Sequence, residues 1–474
     1  MDSRIGARAL ALTLGGWRTR TPTYEALADG IRLLCLDNRI AAHTALPAER
    51  ELAAALGLSR ATVAAAYRSL RESGHIESTR GSGSITLPQV RRGAGRVFDD
   101  GDGIDLQQAS PAAWPGLAGV MAEVGADAAS LVGRPGYDIV GSIDLRAAIA
   151  DRYSARGIPT DPEEILVTNG GQHAIHLVTD ALLHPGSTAL LETPTYPHAT
   201  EAIKATGARV TGTPVTVDDG WDLDRAVQAF RRARPALAYL MPWFQNPTGR
   251  TMTSLDAATF RAAADAAGSV LVIDETTAEL AIDAAAPVAL DFGHRAVRIG
   301  SLGKTVWGGL RVGWVRGDRA FIRRLVASRP RRDLGTAEFE QAVATRLLRM
   351  MPDILPQRAA LLGRGRDAVV AALRTSLPGW KVPVPHGGVS LWVGLDAPRS
   401  GSLVLAARRE GVLLSAGPRF SVDGGYESYL RVPFTAPAGQ MRDAVAVLAR
   451  LWPEVSGHAA APAIDETEAV AAIV

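Results

Sequence analysis

The chain of 474 residues has little cysteine, little lysine and no long apolar run. Its one cysteine, Cys35, cannot form an internal disulfide, and its nine histidines lack the close His and Cys spacing of a zinc site. No apolar stretch is long enough and free enough of charge to span a bilayer, and the N-terminus is a poor secretory signal. We therefore expect a cytoplasmic protein with no metal site and no membrane segment.

Charge is distributed unevenly, although the net charge is only +2. Residues 1–98 hold 14 arginines, no lysine and 8 acidic residues, so this segment carries +6 and the rest of the chain is acidic. A basic N-terminal segment suits contact with phosphates, although an arginine-rich solvated surface gives the same count.

The first 88 residues have the pattern of a winged helix-turn-helix. Apolar residues recur at helical spacing over 24–38, a second helix follows Pro47 and stops at Gly57, and Ser59 can cap a third helix that Gly74 ends. Two short strand-like runs, 76–79 and 84–87, then form a hairpin through a Gly-rich basic turn. We predict a DNA-binding domain over residues 20–88.

The start of the third helix is expected to enter the major groove. Ser59 would cap this helix, and Arg60 and Thr62 would read bases. Arg50, one helix earlier, is placed to hold a phosphate, and Arg80 at the wing tip could reach the adjacent groove or backbone. The alternative is a small helical domain whose arginines are merely solvated.

Beyond this domain the chain divides into a linker, a large domain and a tail. Residues 89–108 lack a sustained apolar period and predict a linker, and residues 455–474 predict a frayed tail. Over 109–454 helices alternate with short apolar strands, which predicts a mostly parallel sheet covered on both faces. Residues from about 335 to 454 mix long helices with two strands and predict a smaller α+β lobe.

Lysine is so rare in this chain that a retained lysine indicates a specific requirement for an amine. Only Lys204, Lys304 and Lys381 are lysines among 51 cationic side chains, and only Lys304 lies in a Gly-rich turn after an apolar strand. A retained amine suits Schiff-base chemistry, because a guanidinium is not a nucleophile at physiological pH. The alternative is a surface lysine in a loop.

Residues elsewhere in the sequence are suited to bind the other groups of pyridoxal 5'-phosphate (PLP). Strand-end Asp274 can keep a pyridine nitrogen protonated, Asn246 can donate to the phenolic oxygen, and Tyr196 can stack on the ring. Phosphate needs donors at a helix N-terminus and a bidentate cation. The candidates for the phosphate are Gly170, Gly171, Gln172, Ser301 and Arg311. Each signal has a structural alternative: Gly170 and Gly171 can form only a tight turn, Asn246 lies in a common turn composition, and Asp274 can simply cap the next helix.

Residues 22–88 resemble the winged helix-turn-helix of GntR-type bacterial regulators. The resemblance is carried by the residues over 46–53 (LPAERELA), 58–63 (LSRATV), Tyr67 and the wing 80–83 (RGSG). It implies that Arg50, Arg60, Thr62 and Gly81 touch operator DNA.

Residues 110–453 resemble the fold-type I PLP aminotransferases, and the fusion of the two parts resembles the MocR group of regulators. The resemblance implies a Schiff base on Lys304, Asp274 at the pyridine nitrogen, and Arg431 at the carboxylate of an amino acid. For Arg431 the alternative is a structural ion pair. It also implies that Gly170, Gly171, Ser301 and Arg311 surround the phosphate. The family usually places a tyrosine after the strand aspartate to bond the phenolic oxygen, whereas this chain has Thr276, which makes efficient transamination less certain.

Three hypotheses follow for the function. In the first, a PLP-dependent regulator senses an amino acid or amine that displaces Lys304 to form an external aldimine, and the lobe movement repositions the DNA-binding domain on double-stranded operator DNA. The second is a working aminotransferase, and the third is a sensor of PLP itself. We expect a homodimer, because such pockets are generally completed across a dimer interface and two DNA-binding domains suit a repeated operator.

Overall fold

Four helices and a hairpin form the N-terminal domain in the computed structural model, which describes residues 4–15, 17–18, 22–79, 83–88, 103–133, 135–283, 290–422 and 424–457. Their bounds are α1 (Ala7–Leu14), α2 (Thr23–Leu36), α3 (Glu49–Leu56), α4 (Arg60–Glu72), β1 (Ile76–Thr79) and β2 (Gly83–Thr86). The strands β1 and β2 pair antiparallel, as the wing prediction requires.

Local signals set the ends of the two motif helices. Gly57 ends α3 in a left-handed conformation with φ 64°, which glycine adopts without a steric penalty. The Ser59 side chain caps α4 by accepting from the Thr62 backbone N–H at 3.1 Å. The turn between the helices is therefore short, and the buried Tyr67 hydroxyl secures it by donating to the Pro47 carbonyl at 2.9 Å.

Helix α1 was not anticipated from the sequence. Its Leu10 and Leu14 are buried, together with Trp17, in the same core as Leu27 and Ile31 of α2. The N-terminal domain thus begins before residue 20, where the sequence pattern started it. The thiol of Cys35 lies in this core, and burial raises its pKa to about 12, as suits an inert packing residue.

The large domain is built on an eight-stranded mixed sheet in the described part of the chain. The order across the sheet is β4 (Ile165–Thr168), β11 (Gly313–Arg316), β10 (Val297–Ser301), β9 (Val270–Asp274), β8 (Leu237–Leu240), β5 (Thr188–Thr193), β6 (Arg209–Thr216) and β7 (Gly220–Trp221). In this order the strands from β10 to β6 run parallel to one another. Strand β11 is antiparallel to both of its neighbours, β4 and β10, and β7 is antiparallel to β6. Apolar cores lie on both faces of the sheet, which agrees with the predicted architecture.

Helices of the large domain cover these faces, and others pack in the apolar core of the smaller lobe. In chain order they are α5 (Leu117–Ala126), α6 (Ala129–Val132), α7 (Ile143–Ala155), α8 (Gly171–Leu182), α9 (Pro197–Ala205), α10 (Leu223–Ala233), α11 (Ser254–Ala267), α12 (Arg319–Ser328), α13 (Glu338–Arg349), α14 (Met351–Ser376), α15 (Ser400–Arg409) and α16 (Ala438–Ser456), of which α14, α15 and α16 pack in the core of the lobe. Of the predicted tail, 455–474, the residues 455 and 456 belong to α16, which corrects its start, and those from 458 onward lie outside the described residues.

The smaller lobe contains a three-stranded antiparallel sheet and a separate two-stranded one. Strands β12 (Ser390–Gly394), β15 (Tyr429–Pro433) and β14 (Ser415–Ala416) form the first, and β13 (Val412–Leu413) pairs in parallel with β3 (Ile104–Asp105) in the second. The interpretation of 89–108 as linker therefore needs correction at its C-terminal end, because 104–105 belong to this lobe. Residues 89–102 lie outside the described part.

Two negative findings apply to the residues that the structure describes. No helix among them is both long and apolar enough to cross a bilayer. No group of three or more His, Cys, Asp or Glu side chains among them is arranged to hold a metal ion.

Candidate functional site

A cavity of about 870 Å³ lies where the parallel strands end, between the large sheet, the smaller lobe and the DNA-binding domain. Its size is within the range of small-molecule pockets. We call this cavity the pocket. Its walls include ten predicted site residues, namely Gly171, Gln172, Tyr196, Asn246, Asp274, Thr276, Ser301, Lys304, Arg311 and Arg431. The structure thus brings together residues that are spread over 260 positions of the sequence, from 171 to 431.

Lys304 extends into the pocket from the turn after β10. Its ammonium donates to the backbone carbonyl of Ala109. Burial, together with the nearby Arg431 guanidinium, lowers the pKa of Lys304 to about 8, although Asp274 opposes this shift. The uncharged amine, which is the form that condenses with an aldehyde, is therefore far more populated near neutral pH than in an ordinary lysine.

Asp274 ends β9 with its carboxylate almost fully buried. Burial raises its pKa, and donation from the Tyr239 hydroxyl opposes that rise. Tyr239 lies on the neighbouring strand β8 and was not identified from the sequence. Donors orient both oxygens of this carboxylate, and each oxygen has a second lone pair, so the buried acid is suited to receive a protonated ring nitrogen.

The phosphate candidates form a cradle at the start of α8. Gly170 has φ 86°, and a Cβ built there would lie 2.8 Å from Nη2 of Arg311. The guanidinium of Arg311 lies over this glycine and donates to the Asn169 carbonyl at 2.8 Å. No described side chain caps α8, so its first backbone N–H groups are left without a side-chain acceptor beside this cation. Ser301 ends β10 beside Gly171.

Three polar atoms on the pocket wall are buried and have no hydrogen-bond partner within the described chain. They are Oε1 of Gln172, Oδ1 of Asn246 and Nε of Arg431. Buried polar groups are rarely left unpaired, because each costs about 1 to 3 kcal/mol. The two amide oxygens accept and the guanidinium nitrogen donates, so these atoms suit a polar ligand, and the glycine cradle with Arg311 supplies the donors that the phosphate of PLP needs.

Thr276 contacts Asp274. Its backbone N–H donates to the Asp274 carboxylate at 2.8 Å, and its methyl group lies near Gly171. The next residue, Thr277, donates its hydroxyl to the Trp243 carbonyl at 2.7 Å. Neither threonine presents a phenol to the pocket, so Asn246 is the nearest equivalent donor among the predicted residues.

Arg431 lies on β15 and is nearly buried in the opposite wall. Its guanidinium donates to the carbonyl of Gln107 and lies 4.9 Å from the centre of the Phe420 ring. No described carboxylate is within ion-pair distance, and burial lowers its pKa to about 10. The structural ion pair considered for this residue is therefore not found among the described residues, and a buried cation in this state attracts an anion.

Residues 107–110, which we call the strap, follow β3 and close one side of the pocket. Carbonyls of the strap accept from both Lys304 and Arg431. Sequence analysis placed 107–108 in the linker and 109–110 at the start of the large domain, and no local pattern signals the role of these residues. Asp37 of the DNA-binding domain is another pocket residue that sequence analysis missed.

The predicted DNA-reading residues that the structure describes lie at the start of α4 and in α3. Arg60 and Arg50 are exposed, and Arg60 Nε lies 3.6 Å from the Glu49 carboxylate. Ser59 and Thr62 share a hydrogen bond of 2.8 Å at the start of α4. Arg68, also exposed on α4, was not identified from the sequence. Arg80 and Gly81 lie outside the described residues.

Family comparisons divide the chain at the same place as the structure. Residues 129–448 match the family of class I and II aminotransferases, and residues 23–85 match the gntR family of bacterial regulatory proteins. The chain is 25% identical over 454 residues to the uncharacterized HTH-type transcriptional regulator YdfD of Bacillus subtilis, which covers 88% of this chain and 93% of that protein.

Two further relatives link the two halves to named proteins. The chain is 29% identical to the probable rhizopine catabolism regulatory protein MocR of Rhizobium meliloti, over 62% of this chain and 65% of that protein. The fold matches LysN, an α-aminoadipate aminotransferase of Thermus thermophilus crystallised with N-(5'-phosphopyridoxyl)-L-leucine, with a TM-score of 0.68 and 27% identity. That match covers 77% of this chain and 97% of LysN.

Proposed function

This chain belongs to the class I and II aminotransferase family and carries a gntR-type regulatory domain at its N-terminus, and from this premise we propose that it is a PLP-dependent transcriptional regulator that senses an amino acid or amine. The carrying observation is the pocket, in which the buried amine of Lys304 faces a buried guanidinium, Arg431, that has no described carboxylate partner.

We assign the cofactor roles as the sequence predicted them. Lys304 holds the aldehyde carbon, Asp274 holds the ring nitrogen, and Asn246 donates to the phenolic oxygen. Tyr196 lines the ring site, and Thr276 steadies Asp274. When bound, PLP supplies an aldehyde that condenses with primary amines and a ring that withdraws electrons.

The phosphate is assigned to the cradle at the start of α8. Backbone N–H groups of Gly171 and Gln172, the hydroxyl of Ser301 and the guanidinium of Arg311 would hold it. The N–H of Gly170 already donates to the Thr168 carbonyl at 2.8 Å, so Gly170 contributes its missing side chain and not a donor. The close approach of Arg311 to Gly170 supports this assignment, because a side chain at that glycine would fill the space between the cation and the helix end.

Arg431 binds the carboxylate of the effector in this proposal. Its only described hydrogen-bond acceptor is a backbone carbonyl, which a carboxylate can replace with a stronger, charge-assisted pair. The lowered pKa of Lys304 supports the same reaction, because the uncharged amine can also accept a proton when the effector amine takes its place.

Operator binding is assigned to the exposed start of α4 and the helix before it. Arg60 and Thr62 would read base edges, with Ser59 fixing the helix end, and Arg50 would hold a phosphate. The exposure of both arginines supports this assignment. Arg80 and Gly81 are proposed as wing contacts.

We also propose that the protein is a homodimer. Several large apolar side chains of the large domain are exposed in the single chain: Val132 81%, Tyr137 74%, Ile143 57% and Trp307 38%. A second subunit would cover such a surface and bring two copies of α4 to repeated half-sites. Sedimentation equilibrium of the purified protein tests this directly.

A working aminotransferase is the second candidate, favoured by the intact set of Lys304, Asp274 and Arg431 in one pocket. The two functions differ in turnover. Steady transfer of amino groups from donor to keto acid at about 1 to 1000 per second supports the enzyme, whereas binding that changes DNA affinity without steady turnover supports the sensor.

One experiment tests the sensor. The full chain is loaded with PLP, trapped with borohydride and analysed by peptide mass, and its affinity for a duplex selected from a random library is measured with and without each common amino acid. We expect the label on Lys304, loss of the label and of the ligand response in Lys304→Ala, and normal behaviour of Lys381→Ala, whose lysine is exposed. An affinity for DNA that no amino acid changes contradicts sensing, and an affinity that PLP alone changes supports a PLP sensor instead.

A further inference from the structure

The DNA-binding domain packs directly against the smaller lobe. Leu33 of α2 lies against Gly401 of α15, where a Cβ would be 2.8 Å from the leucine Cδ1. Gly15, just after α1, approaches Gly424 of the lobe so closely that an added Cβ would lie 2.9 Å from the Gly424 Cα. Leu33 also joins the apolar core of the lobe. These close contacts define one docked position of the domain.

The docked position places a carboxylate of the DNA-binding domain in the wall of the pocket. Asp37, the residue after α2, lines the same cavity as Lys304 and Arg431. Arg419 and Arg408, from the smaller lobe, also line this cavity and lie close enough to lower the pKa of Asp37. Burial acts in the opposite direction and has the larger effect, so the carboxylate is held there against a desolvation penalty.

The cations of the smaller lobe form a site that is separate from the cofactor cradle. Arg419 pairs with Glu201 at 2.5 Å, and its charge lowers the pKa of Arg431. Two guanidinium groups that repel each other in a partly buried cavity are stabilised by anions nearby. Glu201 supplies one and Asp37 supplies another.

We propose that the effector is an amino acid with a second acidic group. In the docked position, the Asp37 carboxylate occupies the place that this second acidic group takes when the effector binds. The first carboxylate binds Arg431, and the second takes the place of Asp37 in the part of the cavity that Arg419 and Arg408 line. The DNA-binding domain then leaves the smaller lobe. This inference rests on the proposed sensing function and names its ligand class and its route to DNA.

The exchange of one carboxylate for another is close to balanced. When Asp37 leaves the cavity, the positive charge of Arg39 on its own domain remains near its carboxylate, and the carboxylate is hydrated again. The two lobe arginines keep an anion throughout, because the incoming carboxylate takes the place of the outgoing one. A ligand can shift such an equilibrium with a modest difference in affinity between the docked and released states.

The test compares two amino acids of similar size that differ in their distal charge. L-Glutamate and L-glutamine are titrated into the PLP-loaded full chain, and binding is followed by absorbance. In Asp37→Asn the internal competitor loses its charge, so we expect at least about fivefold tighter binding of glutamate and unchanged binding of glutamine. Glu72→Gln, at an exposed acid of the same domain, serves as the matched control.

The outcomes separate this inference from the sensing function. If both amino acids change the absorbance but Asp37→Asn affects them equally or not at all, sensing stands and the inference is overturned. A second measurement needs neither cofactor nor amine: hydrogen exchange over residues 33–40 with and without glutarate. Faster exchange in wild type, with a smaller change in Arg419→Gln, supports displacement of Asp37, and unchanged exchange with saturating glutarate overturns it.

Discussion

The reactivity of Lys304 can be predicted from its surroundings. Its pKa is lowered from 10.5 to about 8, mainly by burial and secondly by Arg431. At pH 7 a group with pKa 8 is uncharged in about 9% of molecules, whereas at pKa 10.5 the fraction is about 0.03%, a difference of roughly 300-fold. We therefore expect Lys304 of the cofactor-free protein to react with aldehydes at neutral pH far faster than an ordinary lysine does.

The scarcity of lysine makes this measurable. Reductive methylation with ¹³C-formaldehyde labels only three lysines and the amino terminus, and a pH titration by NMR follows each methyl signal. Lys304→Arg identifies the signal of interest, and the exposed Lys204 and Lys381 serve as internal references. We expect one lysine signal to titrate near pH 8, and we expect Arg431→Gln to raise that midpoint and Asp274→Asn to lower it.

The same shift has a consequence for stability, with a defined sign. Because the folded-state pKa is depressed, the unfolded chain binds more protons between pH 8 and 10.5, so this group's contribution to stability improves as pH rises through that window. Lys304→Met should raise the unfolding free energy at pH 7 by up to about 3 kcal/mol and by progressively less toward pH 10. A Lys304 signal that titrates together with Lys204 and Lys381 would refute the reasoning.

Three further predictions concern the cradle, the operator and the ring site. Gly170→Ala should weaken PLP binding about tenfold or more in an absorbance titration, because its Cβ meets Arg311, whereas Gly186→Ala shares a positive φ but meets nothing within 4 Å and should leave PLP affinity unchanged. Arg60→Ala should cost about 1 to 3 kcal/mol on a selected operator and relax base preference, while Arg50→Ala should weaken all duplexes evenly and reduce the salt slope by about one, both measured by fluorescence anisotropy. Tyr239→Phe removes a donor to buried Asp274, so the pKa of that carboxyl rises and PLP affinity should fall by about 1.5 to 3 kcal/mol in the same absorbance titration, with an unchanged affinity counting against the assigned role.

Features encoded within a few residues were predictable from the sequence. Ser59 caps α4 and Gly57 ends α3, because a side-chain oxygen and a left-handed glycine act on their own neighbours in the chain. The convergence of Asp274, Ser301 and Lys304 was also predictable, because parallel strands present their carboxyl ends along one edge. Such signals depend on local geometry and on the topology that alternating elements impose.

Features that depend on distant partners were not predictable. The strands β3 and β13 are two residues long each and have no recognisable apolar period, so the sequence pattern predicted residues 104–105 as linker. Tyr239 supports Asp274 from the neighbouring strand, and nothing within β8 distinguishes this tyrosine from an ordinary core residue. The docking of Leu33 on Gly401 likewise becomes visible only when both surfaces are placed together.

The strap offers a second physical link between the pocket and the DNA-binding domain. Its carbonyls at Gln107 and Ala109 accept from Arg431 and Lys304, which are the two cations that an amino acid and its cofactor would engage. A ligand carboxylate must therefore take the place of one strap carbonyl, and occupation of the lysine must release the other. Because the strap follows β3, which pairs with β13 of the smaller lobe, its release acts on the lobe that carries the docked DNA-binding domain, whereas displacement of Asp37 acts on the docking surface itself. An acidic amino acid engages both links and one without a second acidic group engages only the strap, so a graded response of DNA affinity to ligand charge follows from the arrangement of these groups.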